Sequence, residues 1–143
     1  MKLWFNLMCD DIEAQMRFYA ELLGWPEAAK SRSSIYRALQ IDGVQFGFNA
    51  QPAYRLLGLA DRAPDPSSLP APVTAYATFI LDTPTDVDVA AHRALALGGH
   101  VVKAPYATYY GQWQAVLADP EQQVFRVSCD GLPEGATPAP RPG

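Results

Sequence analysis

Residues 8–25 read MCDDIEAQMRFYAELLGW, and this stretch decides the fold. Its apolar side chains recur at helical spacing and form one stripe, made of Ile12, Met16, Tyr19 and Leu23. We expect Asp10 to cap the first N–H groups of this helix, with Glu13 as its capping-box partner. Gly24 then supplies a left-handed helix ending, and Pro26 prevents the helix from continuing.

The same strand–helix unit occurs twice. Residues 2–8 alternate between apolar and polar side chains and predict a strand before the first helix. Residues 74–82 alternate in the same way, and residues 84–97 repeat the helical pattern up to Gly98-Gly99. Short strand patterns follow each helix, at residues 26–32, 34–42 and 44–49 and at residues 100–103, 113–118 and 124–129. Asp42-Gly43 and Asp119-Pro120 predict hairpin turns, so the chain is an internal duplication.

The composition limits the classes of partner. The chain has 143 residues, of which 49% are hydrophobic, and a net charge of −4 without a basic run. This balance argues against a nucleic-acid partner, and no apolar run is long enough to predict a membrane span. Cytoplasmic residence is therefore the expectation. Cys9 and Cys129 are predicted to be partly buried thiols rather than a disulfide.

Two motifs carry a resemblance to a known family. Residues 11–25 resemble the helix of the vicinal oxygen chelate superfamily, which ends in Phe-Tyr and then Leu-Gly and an aromatic residue. Residues 111–125 resemble that superfamily's final hairpin with its Asp-Pro turn, although Gln122-Gln123 replace the usual Gly-Asn. The superfamily includes glyoxalase I, extradiol dioxygenases, fosfomycin-resistance enzymes and bleomycin resistance proteins.

The resemblance implies an α+β fold. Two tandem βαβββ modules would form a cup-shaped, half-barrel mixed sheet with helices outside. We expect one glyoxalase/bleomycin-resistance-like domain at residues 1–130, with module one at 1–49, a connection at 50–73 and module two at 74–130. Residues 131–143 are rich in proline and are predicted to be a disordered tail. Family members usually pair, so a homodimer is also expected.

The family's metal positions carry unusual residues. Active members hold a divalent metal with one residue from the first and one from the last strand of each module, usually His or Glu and sometimes Gln. Aligning the two motifs places Trp4, Gly47, Tyr76 and Arg126 there, and none of them is an ordinary ligand for such a metal. His92 and His100 are interpreted as surface residues, and Asp10, Asp11 and Asp82 as helix caps. We therefore expect no metal and no cofactor.

Strand alternation predicts which side chains line the cup. The candidate ligand-binding residues are Trp4, Asn6, Met8, Gln45, Asn49, Tyr76, Thr78, Trp113 and Arg126. Of these, Trp113 is included because it lies beside the aromatic loop at 106–111. This aromatic and polar set favours binding of a small aromatic or anionic organic molecule without metal catalysis. Arg126 would pair with a carboxylate or phosphate of that molecule, or else with an internal acid or at a dimer seam.

Two alternatives remain open at this stage. The first is a divergent enzyme of the superfamily, of the lyase, isomerase or dioxygenase type, with a non-standard site. The second is an inert structural or regulatory dimer. No nucleophile–base arrangement is visible on the predicted cup face, so no catalytic residue is named.

Overall fold

Each half of the chain builds a sheet and packs one helix onto it. The computed structural model describes all 143 residues, in two units, Met1–Ala71 and Pro72–Gly143. None of the three α-helices is both long and apolar enough to cross a membrane.

The first unit contains β1 (Leu3–Cys9), α1 (Ile12–Leu23), β2 (Tyr36–Ile41), β3 (Val44–Ala50) and the short α2 (Pro52–Leu56). The strand order is β1-β3-β2, with β1 and β3 parallel and β2 and β3 antiparallel. Helix α1 covers one face of this sheet. Its Tyr19 ring lies 4.8 Å from the ring of Phe46 and 5.6 Å from that of Phe48, and all three side chains are buried.

The second unit contains β4 (Ala77–Leu81), α3 (Pro84–Ala96), β5 (His100–Ala107), β6 (Gln112–Ala118) and β7 (Val124–Asp130). The strand order is β4-β7-β6-β5, with β4 and β7 parallel and the other pairs antiparallel. Helix α3 buries Val87, Ala91 and Ala94, while Phe125 and Val127 are buried in β7. The first strand of each unit thus pairs in parallel with the last, which confirms the α+β duplication.

One predicted strand is almost absent. Residues 26–32 contribute only an isolated bridge between Glu27 and Leu39, flanked by hydrogen bonds between the backbones of Ala28 and Ala38 and of Gln40 and Pro26. The chain then curls into a 3-10 turn at Ala29–Ser31. Because Pro26 has no N–H to donate, the pairing starts poorly and stops after two residues.

Of the three predicted helix caps, Asp11 caps α1 as expected, but Asp10 and Asp82 are not caps. Asp11, not Asp10, accepts a hydrogen bond from the N–H of Ala14 at 3.0 Å. Asp10 instead accepts one from Nε2 of Gln51 at 2.7 Å. Likewise Thr83, not Asp82, caps α3, in a capping box with Asp86. Strand β1 runs to Cys9, one residue past its predicted end, whereas β4 ends at Leu81, one residue before its predicted end.

The two hairpin turns form as predicted. Asp42 and Gly43 both have positive φ, 37° and 79°, as a two-residue hairpin requires. In the second turn, the side chain of Asp119 accepts hydrogen bonds from the N–H groups of Glu121 and Gln123 at 2.9 and 3.0 Å. Gln122 has a φ of 65°, so it adopts the left-handed conformation that favours glycine.

A charged cluster ties β2 to α1. Arg37 donates from Nε to Glu13 Oε2 at 2.8 Å, and Arg32 bridges Glu13 and Glu27 at 3.3 and 2.8 Å. The hydrogen bond from Arg37 holds the pKa of Glu13 below its ordinary value; burial opposes this, and the charges of Arg32 and Arg17 lower the pKa further.

The two thiols are buried and form no disulfide. Cys9 ends β1 in the first unit, and Cys129 lies in β7 of the second, each with no more than 1% of its surface exposed. Burial raises the pKa of the Cys129 thiol, which keeps it protonated at neutral pH.

Candidate functional site

The polar side chains of interest lie on the sheet face turned away from the helix, here called the far face of each unit. In the first unit, β1 pairs with β3 so that Trp4 lies beside Gln45, and Met8 beside Asn49. Asn6 lies beside Gly47 between these two pairs. The five residues predicted from this half of the sequence therefore share one face, because paired residues on adjacent strands point the same way.

A tyrosine that sequence reasoning missed organises this face. Tyr36 lies opposite Asn49 on β2. Its hydroxyl donates to Asn6 Oδ1 at 3.1 Å and accepts from Gln45 Nε2 at 3.0 Å. A Cβ added at Gly47 would overlap both the Tyr36 hydroxyl and Asn6 Oδ1. Gly47 is therefore needed for the close approach of these two side chains.

The far face of the second unit is organised by Arg126. Its Nε donates to Thr78 Oγ1 at 2.9 Å across the parallel strand pair, and its guanidinium lies 4.7 Å from the ring centroid of Tyr76. Nη1 makes a longer contact of 3.4 Å with the Tyr110 hydroxyl. Arg126 forms no salt bridge, so it does not pair with an acidic side chain of the chain, which was one of the alternatives. Its positive charge is thus held in place by neutral groups.

A line of hydrogen bonds continues from Arg126 across the sheet. The Tyr110 hydroxyl donates to Gln114 Oε1 at 2.9 Å, and Gln114 Nε2 donates to the Tyr106 hydroxyl at 2.6 Å. The ammonium of Lys103 lies 3.7 Å from the centroid of the Tyr106 ring. Gln114 is almost fully buried, whereas nearly half of the Tyr110 side chain is exposed.

Trp113 does not belong with the other predicted residues. It lies opposite Cys129 on the helix side of the sheet, and its Nε1 donates to Asp88 of α3 at 2.8 Å. Strand β6 begins at Gln112, and Trp113 is a strand residue, as the pattern at 113–118 predicts. Its contact with Asp88 is structural, and its place in the predicted ligand-binding set is corrected accordingly.

The family's metal positions were tested against the geometry. Trp4 has no ligating atom, and 63% of its surface is exposed. The space beside Gly47 is taken by the Asn6 and Tyr36 side chains. Arg126 carries a positive charge at the corresponding place of the second unit, and the ring of Tyr76 lies against it. These four residues do not fit a divalent cation.

No alternative metal cluster replaces them. No group of three or more His, Cys, Asp or Glu side chains is arranged to hold a metal ion. His92 lies on α3 and His100 begins β5, and both are exposed, as predicted.

Sequence reasoning missed three residues of the far faces: Tyr36, Lys103 and Gln114. Alternation on β6 would have found Gln114, because Gln112, Gln114 and Val116 alternate with the apolar side of that strand. Tyr36 and Lys103 carry no such signal, since their importance depends on what their long side chains reach.

Comparisons with known proteins agree with this architecture. The sequence pattern of the glyoxalase-like domain family matches residues 4–128. The chain is similar to a glyoxalase/bleomycin resistance protein/dioxygenase family enzyme from Burkholderia phytofirmans PsJN, with 37% identity and a TM-score of 0.81 over 88% of this chain and 95% of that one. No curated protein matches the chain.

More distant structures share the fold. One is a glyoxalase-related enzyme from Fulvimarina pelagi, with 21% identity and a TM-score of 0.72 over 91% of this chain and 88% of that one. Another is a lactoylglutathione lyase from Agrobacterium tumefaciens, with 17% identity and a TM-score of 0.62 over 90% of this chain and 92% of that one.

Proposed function

This chain belongs to the glyoxalase-like family of the vicinal oxygen chelate superfamily, and we propose that it binds a small organic anion with an aromatic body, without a catalytic metal. The anion is recognised on the far face of the second unit, by Arg126 with Thr78, Tyr76 and Tyr110.

The observation that carries this proposal is the lack of an acidic partner for Arg126. A partly buried guanidinium is normally paired, because removing its charge from water is costly. Here the hydrogen bond to Thr78 uses Nε, and the only contact at the other end of the group is the long one to Tyr110. Most N–H groups of the terminal fork are therefore left for a ligand. A carboxylate fits that fork with two parallel hydrogen bonds.

The neighbouring rings favour an aromatic body on the ligand. Tyr76 and Tyr110 are 50% and 47% exposed, which leaves ring surface for stacking beside the guanidinium. Such rings contribute contact area at little conformational cost, since each has only two side-chain torsions.

The test uses biphenyl monocarboxylate as the probe and its neutral alcohol as the matched compound, with binding measured by isothermal titration calorimetry. We expect the acid to bind and Arg126→Met to weaken it by about tenfold or more, as loss of a charged hydrogen bond predicts. Arg126→Lys should lose most of the same affinity, because an ammonium lacks the planar fork. Arg93→Met, which removes an exposed charge on α3, is the matched control and should change nothing.

Two results would contradict the proposal. The first is equal binding of the acid to the wild type and to a folded Arg126→Met variant. The second is about one tightly held metal per chain, measured by plasma mass spectrometry on protein purified without a chelating tag. That metal would require a ligand set other than Trp4, Gly47, Tyr76 and Arg126.

A second function is favoured by one observation. The similar protein from Burkholderia phytofirmans is described as a family enzyme. A divergent enzyme would release a chemically changed product from a bound substrate, whereas a binding protein returns the ligand intact. Mass spectrometry of the ligand after prolonged incubation with the protein distinguishes the two.

A further inference from the structure

Two cations of the second unit occupy the same sheet face, and neither has an acidic partner. Arg126 lies against the ring of Tyr76, and Lys103 lies over the ring of Tyr106. Neither side chain forms a salt bridge, although the chain has an excess of acidic residues. Interaction with an aromatic ring holds a cation in position but does not neutralise its charge.

The strand register fixes the separation of the two backbones that carry the cations. Lys103 pairs with Val116 on β6, and Val116 pairs with Arg126 on β7. The three residues therefore form one row on the far face. Two strand spacings place the Lys103 and Arg126 backbones roughly 10 Å apart. Both side chains rise from the same face, with Arg126 held by Thr78 and Tyr76 and Lys103 held over Tyr106.

Neutral groups fill the space between the cations. Val116 is the apolar residue in the middle of the row. Beside it, Tyr110, Gln114 and Tyr106 hydrogen-bond to one another at 2.9 and 2.6 Å. The amide of Gln114 thus has both ends engaged, and no carboxylate in this line competes with a ligand for the two positive charges.

We infer that the ligand of this site is a flat molecule with two separated acidic groups, one bound by Arg126 and the other by Lys103, with its apolar body across Val116. This inference rests on the proposed function, because it uses the same Arg126 anchor. It adds a second anchor and makes Lys103 the residue that selects diacids over monoacids. The bidentate fork of Arg126 holds one carboxylate firmly, and the exposed Lys103 adds a weaker, salt-sensitive contact.

The experiment compares biphenyl monocarboxylate with biphenyl dicarboxylate, whose two para carboxylates are held apart by the rigid rings. Terephthalate is a shorter diacid, and it tests whether the distance between the two carboxylates matters. We expect the biphenyl diacid to bind up to about tenfold more tightly than the monoacid, since an exposed charged pair adds modestly to affinity. Terephthalate should not bind more tightly than the biphenyl monoacid. The diacid's affinity should also fall more steeply with added salt.

Substitution then assigns the second anchor. Lys103→Met should reduce the diacid to the affinity of the monoacid and leave the monoacid unchanged. Lys30→Met removes an exposed lysine from the first unit and is the matched control for charge. Equal affinity of both biphenyl acids for the wild type, or equal weakening of both by Lys103→Met, would overturn the inference while leaving the proposed function in place. Binding of neither acid would overturn both.

Discussion

Arg126 and Thr78 are joined by a 2.9 Å hydrogen bond from Nε to Oγ1, between strands that are far apart in sequence and adjacent in the sheet. This bond holds one end of the guanidinium, while the ring of Tyr76 lies against the group. At the other end of the group, Nη1 makes only the 3.4 Å contact with the Tyr110 hydroxyl. Thr78 is accordingly a positioning residue for whatever Arg126 binds.

Thr78→Val removes this acceptor while conserving the shape and strand preference of the side chain. We expect affinity for biphenyl monocarboxylate to fall by roughly three- to tenfold, because one hydrogen bond to a charged group then no longer orients the fork. In an Arg126→Lys background the same substitution should have little further effect, since the two residues act through one contact. Thr85→Val on the exposed side of α3 is the control. Additive losses in the double variant would argue against a positioning role.

Gly47→Ala should destabilise the first unit. The new methyl group would meet Asn6 Oδ1 and the Tyr36 hydroxyl, and the Tyr36 ring carbon Cε2 would lie only 2.8 Å away. Displacing these side chains breaks their hydrogen bond, so the free energy of unfolding should fall by about 1–3 kcal/mol. The change in the free energy of unfolding is measured by denaturant titration of both proteins. A Tyr36→Leu/Gly47→Ala double variant should be less destabilised than the sum of the single ones, and strict additivity would refute the steric explanation.

Gln122→Gly should stabilise the second unit. A non-glycine residue in the left-handed conformation costs about 1–2 kcal/mol, and glycine's extra freedom in the unfolded chain offsets about half of the gain. We expect a net increase of roughly 0.5–1 kcal/mol in the free energy of unfolding. Gln123→Gly is the control, because Gln123 has no positive φ and should only lose stability. A lower melting temperature for Gln122→Gly would mean that the side chain makes a contact worth more than the strain.

The charged cluster around Glu13 should make stability depend on pH. Because the folded-state pKa of Glu13 is lowered, its contribution is present above the unfolded pKa and is lost as the pH falls through the folded value. Glu13→Gln should therefore destabilise the protein at pH 7, and its effect should shrink as the pH falls below the unfolded pKa of about 4.3. The loss should stay under about 1 kcal/mol, since 39% of the Glu13 side chain is exposed and screened.

Glu21→Gln, on the exposed side of the same helix, provides the comparison for that measurement. Its effect on chemical denaturation should be small at both pH values. If Glu13→Gln were equally destabilising at pH 7 and at pH 3, the cause would be packing rather than ionisation.

Periodicity predicted the elements of this fold well, because each depends on local chemistry. The Gly24 ending and the Asp42-Gly43 turn form where the sequence places them, and the α1 stripe buries its predicted residues except Leu23, in whose place Leu22 is buried. Asp11 caps α1 as predicted, whereas Thr83 rather than Asp82 caps α3, because Thr83 directly precedes that helix and its hydroxyl accepts from the N–H of Asp86.

The site was less predictable for a physical reason. Alternation assigns a face to a residue, and it placed Asn6, Thr78 and Arg126 correctly with their strand partners. It does not say how far a long side chain extends, so the reach of Tyr36 to Asn6 was not anticipated. Trp113 was included in the site because it lies beside the loop at 106–111, but its register opposite Cys129 turns its side chain to the helix side of the sheet.

The two buried thiols allow local unfolding to be measured without introducing a label. A buried thiol reacts with alkylating reagents only when the surrounding structure opens, and Cys9 and Cys129 lie in different units. The labelling rate of each cysteine, followed by mass spectrometry, would therefore give the opening free energy of its own half of the chain. A diacid that binds the second unit should slow the labelling of Cys129 more than that of Cys9.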